Sequence, residues 1–575
     1  MSACGGLHAR PQLEGRHGFW TTENAFPLSA LAAMTSHGWG GVPHRGNPRA
    51  TDRSGDLDSR RAARGRREAA SPPPAPTNAG GGSFFGDVLR GAGGTVLSRV
   101  LGFARDAAIA YAFGASAGYD AFLVALFIPQ ALRQVLGEGG LAAAFLPVYA
   151  RAKERGDGDA LARSAFLCLV LFLPVLCALG ALLAPSYVPV LAAGFAPETM
   201  AQSVALARWL FPLIGFISLS ALAGGILNAE GRFFLPSFAP AFLNVGMVIG
   251  ALVLARMAEP PVFGLAVGAL LGGAGMAIVL LPPLRAVLRG PWRLWPPHPA
   301  LREVAWRLLP SLGGLMVAEV NTLVDNRLAS HLAPGSIATL QYAMRLFQFP
   351  LGILAVSVTT AALPRLSRLA ARSDEEGFRR ALDRGFLTTG ALILPALAGL
   401  LVLGVPILTV LFQRGAFTEG DTVRTYAALG GYLAGLWAYA LVYLFSRAWF
   451  ALGRPLLPVA AGALALVVNV GLDLWWVRLW GTFGLALATG VAGWVNALLL
   501  GALLWRRCRG GIDLRMLLPV ALAVGGMTVG LLLVRPFLAR LGPWGEVGIG
   551  IPLGIALYAG LAQILGITRA LAGGR

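Results

Sequence analysis

The sequence predicts an all-α, polytopic membrane protein with about fourteen transmembrane helices, and three observations carry that expectation. The 575 residues are 56% hydrophobic and only 13% charged, with a mean hydropathy of +0.67, far from the composition of soluble domains. Apolar runs near the roughly 20 residues that cross about 30 Å of hydrocarbon recur from about residue 84 to the C-terminus. Arginine-rich connections alternate with connections poor in Lys and Arg, the asymmetry that orients helices in a bilayer.

In order, the expected spans are 85–113, 120–150, 162–188, 200–229, 234–257, 262–288, 303–331, 336–364, 382–412, 422–451, 456–479, 481–505, 514–536 and 545–570. The second connection carries Arg151, Lys153, Arg155 and Arg163, and the sixth carries Arg285, Arg289, Arg293, Arg302 and Arg307. The eighth carries Arg365, Arg368, Arg372, Arg379, Arg380 and Arg384, and the twelfth carries Arg506, Arg507, Arg509 and Arg515. All four have the same parity. Segments 114–119, 189–200 and 332–337 hold no Lys or Arg, although Arg414, Arg535 and Arg540 are exceptions on that side. The even connections and both termini are therefore expected in the cytoplasm.

A formal charge of +19 would suggest nucleic acid in a soluble protein. Here the basic residues lie in the N-terminal tail and in the topology-setting loops, so no nucleic-acid partner is expected. Residues 1–83 are rich in Arg, Pro and Gly, too polar to offset the entropy of ordering, and are expected to be a disordered tail without a function of their own. Cys4, Cys168, Cys177 and Cys508 show no metal-ligand spacing and imply no disulfide framework.

An internal echo divides the rest. Gly231-Arg232-Phe233-Phe234-Leu235-Pro236 precedes Asn244-Val245-Gly246, and Gly453-Arg454-Pro455-Leu456-Leu457-Pro458 precedes Asn469-Val470-Gly471. The two stand six spans apart, the offset of a duplicated two-lobe transporter with two further helices at the end. The domain expectation is a tail over 1–83, an N-lobe over 84–290, a C-lobe over 291–509 and two C-terminal spans over 510–575.

Charges within apolar spans are costly and usually face water or a partner. They concentrate at Arg99, Arg105 and Asp106 in the first span, Asp120, Arg133 and Glu138 in the second, and Arg345 in the eighth. Arginines predominate, and a guanidinium presents a planar fork of donors matched to phosphate oxygens, so the expected substrate is anionic. The competing assignment has Arg105 and Asp106 bordering the interface, Arg133 paired with Glu138, and Arg99 snorkelling. A second group comprises Asn469 and Asp473, spaced i,i+4, with Asp325 and Thr489. Its oxygen ligands suit a hard cation, while a pairing of Asp473 with Arg478 is the plainer alternative.

Enzyme signatures are scarce. Lys153 is the only lysine, so no phosphate loop of the Walker type exists, and the six histidines form no HExxH pair. A transporter, not an enzyme, is expected, with no cofactor beyond a candidate coupling ion. A cation-coupled multidrug exporter would favour acids in its cavity, opposite to the field of Arg99, Arg105, Arg133 and Arg345.

The run SRVLGFARDAAIAYAFGA, then YDAF, then IPQALRQVLGEGGLAAAFLPVYA, resembles the opening of the MurJ/MviN lipid II flippases. The similarity continues through ILNAEGRFFLPSFAPAFLN, VNTLVDNRLASHLAPGSIATLQYAMRLFQFPLGILAVSV, LFQRGAFT and SRAWFALGRPLLP. The resemblance covers essentially everything after residue 83. It implies the fold of the multidrug/oligosaccharidyl-lipid/polysaccharide exporter superfamily, with two six-helix lobes around a central cavity and a lipid-tail groove formed by the last two helices. It implies that Arg99, Arg105, Arg133 and Arg345 contact the substrate, with Asp106, Asp120 and Glu138 as gating or functional acids. It further implies a sodium site at Asp325, Asn469, Asp473 and Thr489. Gln130, Gln134 and Met344 depart from the family's commonest pattern. The implied activity is alternating-access transfer of lipid II from the cytoplasmic to the periplasmic leaflet of the bacterial inner membrane, with cell-wall synthesis proteins as candidate partners and the oligomeric state left open. An exporter of another polyprenyl-linked oligosaccharide is the nearest alternative.

Overall fold

The computed structural model describes residues 81–136, 140–292, 297–508 and 514–572, and these pack as one unit. The tail expectation falls outside the described residues apart from residues 81–83, which are helical and belong to the first span. No strand occurs among the described residues.

The first half comprises α1 (Gly81–Phe113), α2 (Ala117–Leu136), α3 (Gly140–Glu154), α4 (Gly158–Leu191), α5 (Pro197–Leu210), α6 (Pro212–Ala229), α7 (Pro240–Leu252) and α8 (Val262–Leu280). The second comprises α9 (Ala300–Ala329), α10 (Ser336–Pro350), α11 (Val356–Ala371), α12 (Glu375–Leu411), α13 (Glu419–Leu433), α14 (Leu436–Ala451) and α15 (Leu456–Arg507). The chain ends in α16 (Leu517–Ala539), α17 (Gly542–Ile564) and the short α18 (Ile567–Ala572).

Several expected spans are broken, each for a local reason. Pro212 opens α6 after Phe211, where its missing N–H costs no helical bond. A π turn at Leu351–Ala355 follows Pro350, since proline cannot continue the i to i−4 ladder. Gly435 separates α13 from α14 with a bend of 41°. Gly481, at φ 55°, divides α15 into the two expected spans 456–479 and 481–505. Helix starts are also encoded locally. The Asp374 carboxylate accepts the Gly377 N–H at 2.8 Å, and Thr418 and Asp421 form a capping box at α13.

Nine stretches among the described residues are long and apolar enough to cross a membrane, ten if the bent α13–α14 pair counts as one. The fourteen expected spans are matched in kind without that number being reached. A further apolar helix among the described residues, Ala117–Leu132 of α2, is shorter than these. Large apolar side chains stay exposed along α4, α16 and α17, among them Leu182, Leu533 and Ile555, as helices facing hydrocarbon require.

Glycine decides the closest helix pair. At Gly246 and Gly250 of α7, and at Gly268 and Gly272 of α8, an added Cβ would strike the backbone of the partner helix, and at Gly264 it would strike the turn that follows α7, at Leu254 and Ala255. This spacing of small residues lets helices pack by dispersion where lipid supplies no hydrophobic drive. Elsewhere α1 packs on α7, α2 on α5, α10 on α13, and α13 and α14 on α15, while α12 carries α16 and α17. Helix α9 lies against α2, α3 and α4 of the first half as well as α15 of the second.

Candidate functional site

The cluster around Asp106 joins the two halves. Asp106 Oδ1 accepts from Arg105 Nε at 2.9 Å and Nη2 at 2.7 Å, and its other oxygen lies 3.4 Å from Arg345 Nε on α10. The last contact is an ion pair without hydrogen-bond alignment. Arg105 Nη1 donates to Asn244 Oδ1 at 3.0 Å, and Asn244 Nδ2 donates to the Ser98 carbonyl at 3.1 Å. The group carries two positive charges against one negative. Side-chain exposures of 16% for Arg105, 11% for Asp106 and 33% for Arg345 make Arg345 the most accessible and the most loosely held. Such a group can exchange one internal carboxylate for an anionic ligand.

The remaining predicted arginines stand differently. Arg99 is exposed and, at about 100° per residue, lies roughly 120° around α1 from Arg105, so the two do not share a face. Arg133 belongs to α2, but its side chain, like the whole of Glu138, lies outside what is described. Asn244 was not among the predicted site residues. Its signal was a lone amide inside an apolar span, read only as part of the internal echo.

Asp120 ties α2 to the start of α10. Its Oδ2 accepts the Gly335 N–H at 2.6 Å and its Oδ1 the Ala338 N–H at 2.7 Å, with the residue only 3% exposed. These are the orphan donors of a helix N-terminus, where a carboxylate is favoured twice, by hydrogen bonds and by the dipole. Gly335 has φ 87°, and a side chain there would collide with the Ala115 carbonyl. Around this contact the Ala416 N–H reaches the Tyr111 carbonyl at 2.8 Å and Tyr342 Oη reaches the Gly114 carbonyl at 3.2 Å. Tyr119, Tyr342, Phe412 and Phe417 fill the space between. The two halves are closed on each other at this end.

The predicted cation ligands partly converge. Asp325 of α9 and Asp473 of α15 lie within hydrogen-bonding reach of each other. Asn469 Nδ2 donates to Asp473 Oδ2, and Asn321 Nδ2 to Asp325 Oδ2 at 3.2 Å. The second oxygen of each carboxylate is buried with no donor. Thr489 is buried on the far half of α15, its hydroxyl donating to the Leu485 carbonyl at 3.2 Å. No cluster of three His, Cys, Asp or Glu residues occurs among the described residues; this group has only two.

An apolar cavity of about 850 Å³ runs between α10, α12, α16 and α17, lined by residues including Phe349, Ile353, Leu403, Met527, Val547 and Ile555. Its lining can take hydrocarbon and offers almost nothing to a polar group.

A family model described as lipid II flippase MurJ matches residues 109–541. A Bdellovibrio bacteriovorus protein named probable lipid II flippase MurJ is 34% identical over 494 residues, 83% of this chain and 94% of that one. A Burkholderia cenocepacia protein named lipid II flippase MurJ is 34% identical over 428 residues, covering 73% of this chain and 83% of the relative. A solved structure of lipid II flippase MurJ in an inward closed conformation is 27% identical, with a TM-score of 0.71 over 83% of this chain and 99% of that one. An inward-facing multidrug transporter of the MATE family, 16% identical over 74% of this chain and 98% of its own with a TM-score of 0.60, shares the fold.

Proposed function

This chain belongs to the MurJ lipid II flippase family, and from that premise we propose that it carries lipid II from the cytoplasmic to the periplasmic leaflet of the bacterial inner membrane by alternating access. The observation that supports this most is the Asp106 carboxylate shared between Arg105 and Arg345. A pyrophosphate arriving there takes over the loosely held Arg345 and then competes for Arg105, so anion binding rearranges a contact between the halves. The apolar cavity beside α16 and α17 suits the polyprenyl tail, which keeps the hydrocarbon in an apolar setting while the headgroup crosses.

The arginine-rich connections support a cytoplasmic setting for both termini and the even connections. The Asp120 contact then closes the periplasmic end, and opening it breaks two charge-assisted hydrogen bonds worth roughly 1.5–3 kcal/mol each. Only a ligand with higher affinity for the open form offsets that cost. A sodium ion fits the paired carboxylates, because two buried carboxylates within reach of each other are stabilised by a positive charge held between them. Asp325, Asn469, Asp473 and Thr489 would hold it. The ion would neutralise the pair and tie α9 to α15. Enzymes that polymerise the delivered precursor are the partners this transport implies.

The test is replacement of the native flippase. In a bacterium depleted of its own lipid II flippase, the full chain should restore growth, and an Arg105→Ala, Arg345→Ala variant present at equal level in the membrane should not. Lysis despite verified insertion of the unaltered chain would count against lipid II as the substrate.

A further inference from the structure

A second cavity, about 710 Å³, lies at the opposite end of α12 from the closed contact, between the end of α11, the start of α12, the start of α16 and α18. Its polar wall carries Arg365, Arg380 and Arg384, and Leu369, Met516 and Ile567 contribute to the apolar remainder. We propose that this cavity binds the phosphate of an anionic phospholipid from the cytoplasmic leaflet, as a lipid site separate from that of the transported substrate.

Charge, walls and position each support this occupant. Arg365 and Arg384 are exposed and have no acidic ion-pair partner among the described residues, while Arg380 pairs only at 3.6 Å with the exposed Glu376. Two acids also line the cavity. The Asp374 carboxylate is engaged by the Gly377 N–H, and Asp383 is buried on the α12 wall. The arginines therefore outnumber the acids, and their forks match phosphate oxygens. A free phosphate needs no apolar surface, whereas a lipid places acyl carbons against one; basic pockets between helices at the cytoplasmic edge are suited to such headgroups.

The site is distinct from the apolar cavity described above. Leu387, Ala391, Val520, Ala523, Ala562 and Ile567 pack into a continuous apolar plug between the two, and Gly390 meets Leu517 at the same level. A lipid seated at Arg365 and Arg384 must send its chains outward to the bilayer, not into the substrate groove. It would fasten the cytoplasmic ends of α16–α18 to α11 and α12, and this holds whatever headgroup the protein transports.

The experiment is native mass spectrometry of the full chain released from detergent, titrated with phosphatidylglycerol and, separately, phosphatidylethanolamine. The expected result is a tight phosphatidylglycerol adduct that weakens about tenfold, or about 1.4 kcal/mol, in an Arg365→Gln, Arg384→Gln variant. An Arg372→Gln, Arg379→Gln variant removes equal charge from the same connection outside the cavity and should keep it. Should the glutamine pair fail to fold, an Arg365→Lys, Arg384→Lys pair carries the test, with a smaller loss because charge remains and the fork is gone. Equal weakening in the control variant, unchanged binding in both cavity variants, equal affinity for phosphatidylethanolamine, or competition by sn-glycerol 3-phosphate at the lipid's own concentration would each overturn the proposal.

Discussion

Asp106 holds two guanidiniums that reach it from different halves of the chain, and Asn244 fixes the one on its own helix. Replacing Asn244 with alanine leaves Arg105 Nη1 and the Ser98 carbonyl without this partner, so Arg105 should sample other rotamers. Lipid II binding should weaken several-fold while thermal stability falls by only about 1–3 kcal/mol, the usual cost of stranding a buried polar group; titration of the purified variant checks both. Asp120→Asn should loosen the closed end, because an amide offers one acceptor oxygen where the carboxylate sets a separate oxygen against each N–H, and it loses the charge favoured at a helix N-terminus. The distance between spin labels on the α1–α2 turn and the 412–418 turn should then show a larger open population. Arg105, Asp106, Arg345 and Asp120 were legible from sequence because charge inside an apolar run is conspicuous. Asn244 was not, since a neutral amide costs much less to bury than a charge and its role appears only when α7 is packed beside α1. The side-by-side approach of Asp325 and Asp473 was legible as a set of oxygen ligands.

Among the elements, the α7–α8 pair depends on backbone contact at Gly246, Gly250, Gly268 and Gly272. Gly268→Leu should push the two helices apart, and with them the α7 surface that carries Asn244 to Arg105. Overpacking costs of about 1–3 kcal/mol are typical, so a lower unfolding temperature in detergent and weaker lipid II binding should appear together. A stable variant with unaltered binding would mean that α7 is held by other contacts. Span boundaries were less legible than spans. The pattern for 336–364 contains Pro350, but periodicity alone does not reveal that a π turn follows and that helix continues to Ala371. The break at Gly481 was readable because an apolar stretch of 52 residues is too long for one crossing of about 30 Å.

At the scale of the molecule, the Asp120 contact is a barrier at one end of the two halves, the mixed-charge cluster links α1 to α10, and an apolar cavity lies beside the last two helices. Alternating access requires that barrier to move to the other end when the headgroup binds, by virtue of differential affinity for the two forms. The paired Asp325 and Asp473 predict an ion dependence of the same equilibrium. Sodium, and not potassium at equal ionic strength, should raise the unfolding temperature, and Asp473→Asn should abolish the difference, as ligand-linked stabilisation demands. The most direct measurement places the purified full chain in proteoliposomes with fluorescent lipid II and follows transfer between leaflets. Transfer by the unaltered chain, slowed at least about tenfold by Arg105→Ala, Arg345→Ala with the fold intact, an effect of about 1.4 kcal/mol on the barrier, is the expected result; transfer at full rate in that variant would contradict the role assigned to the cluster.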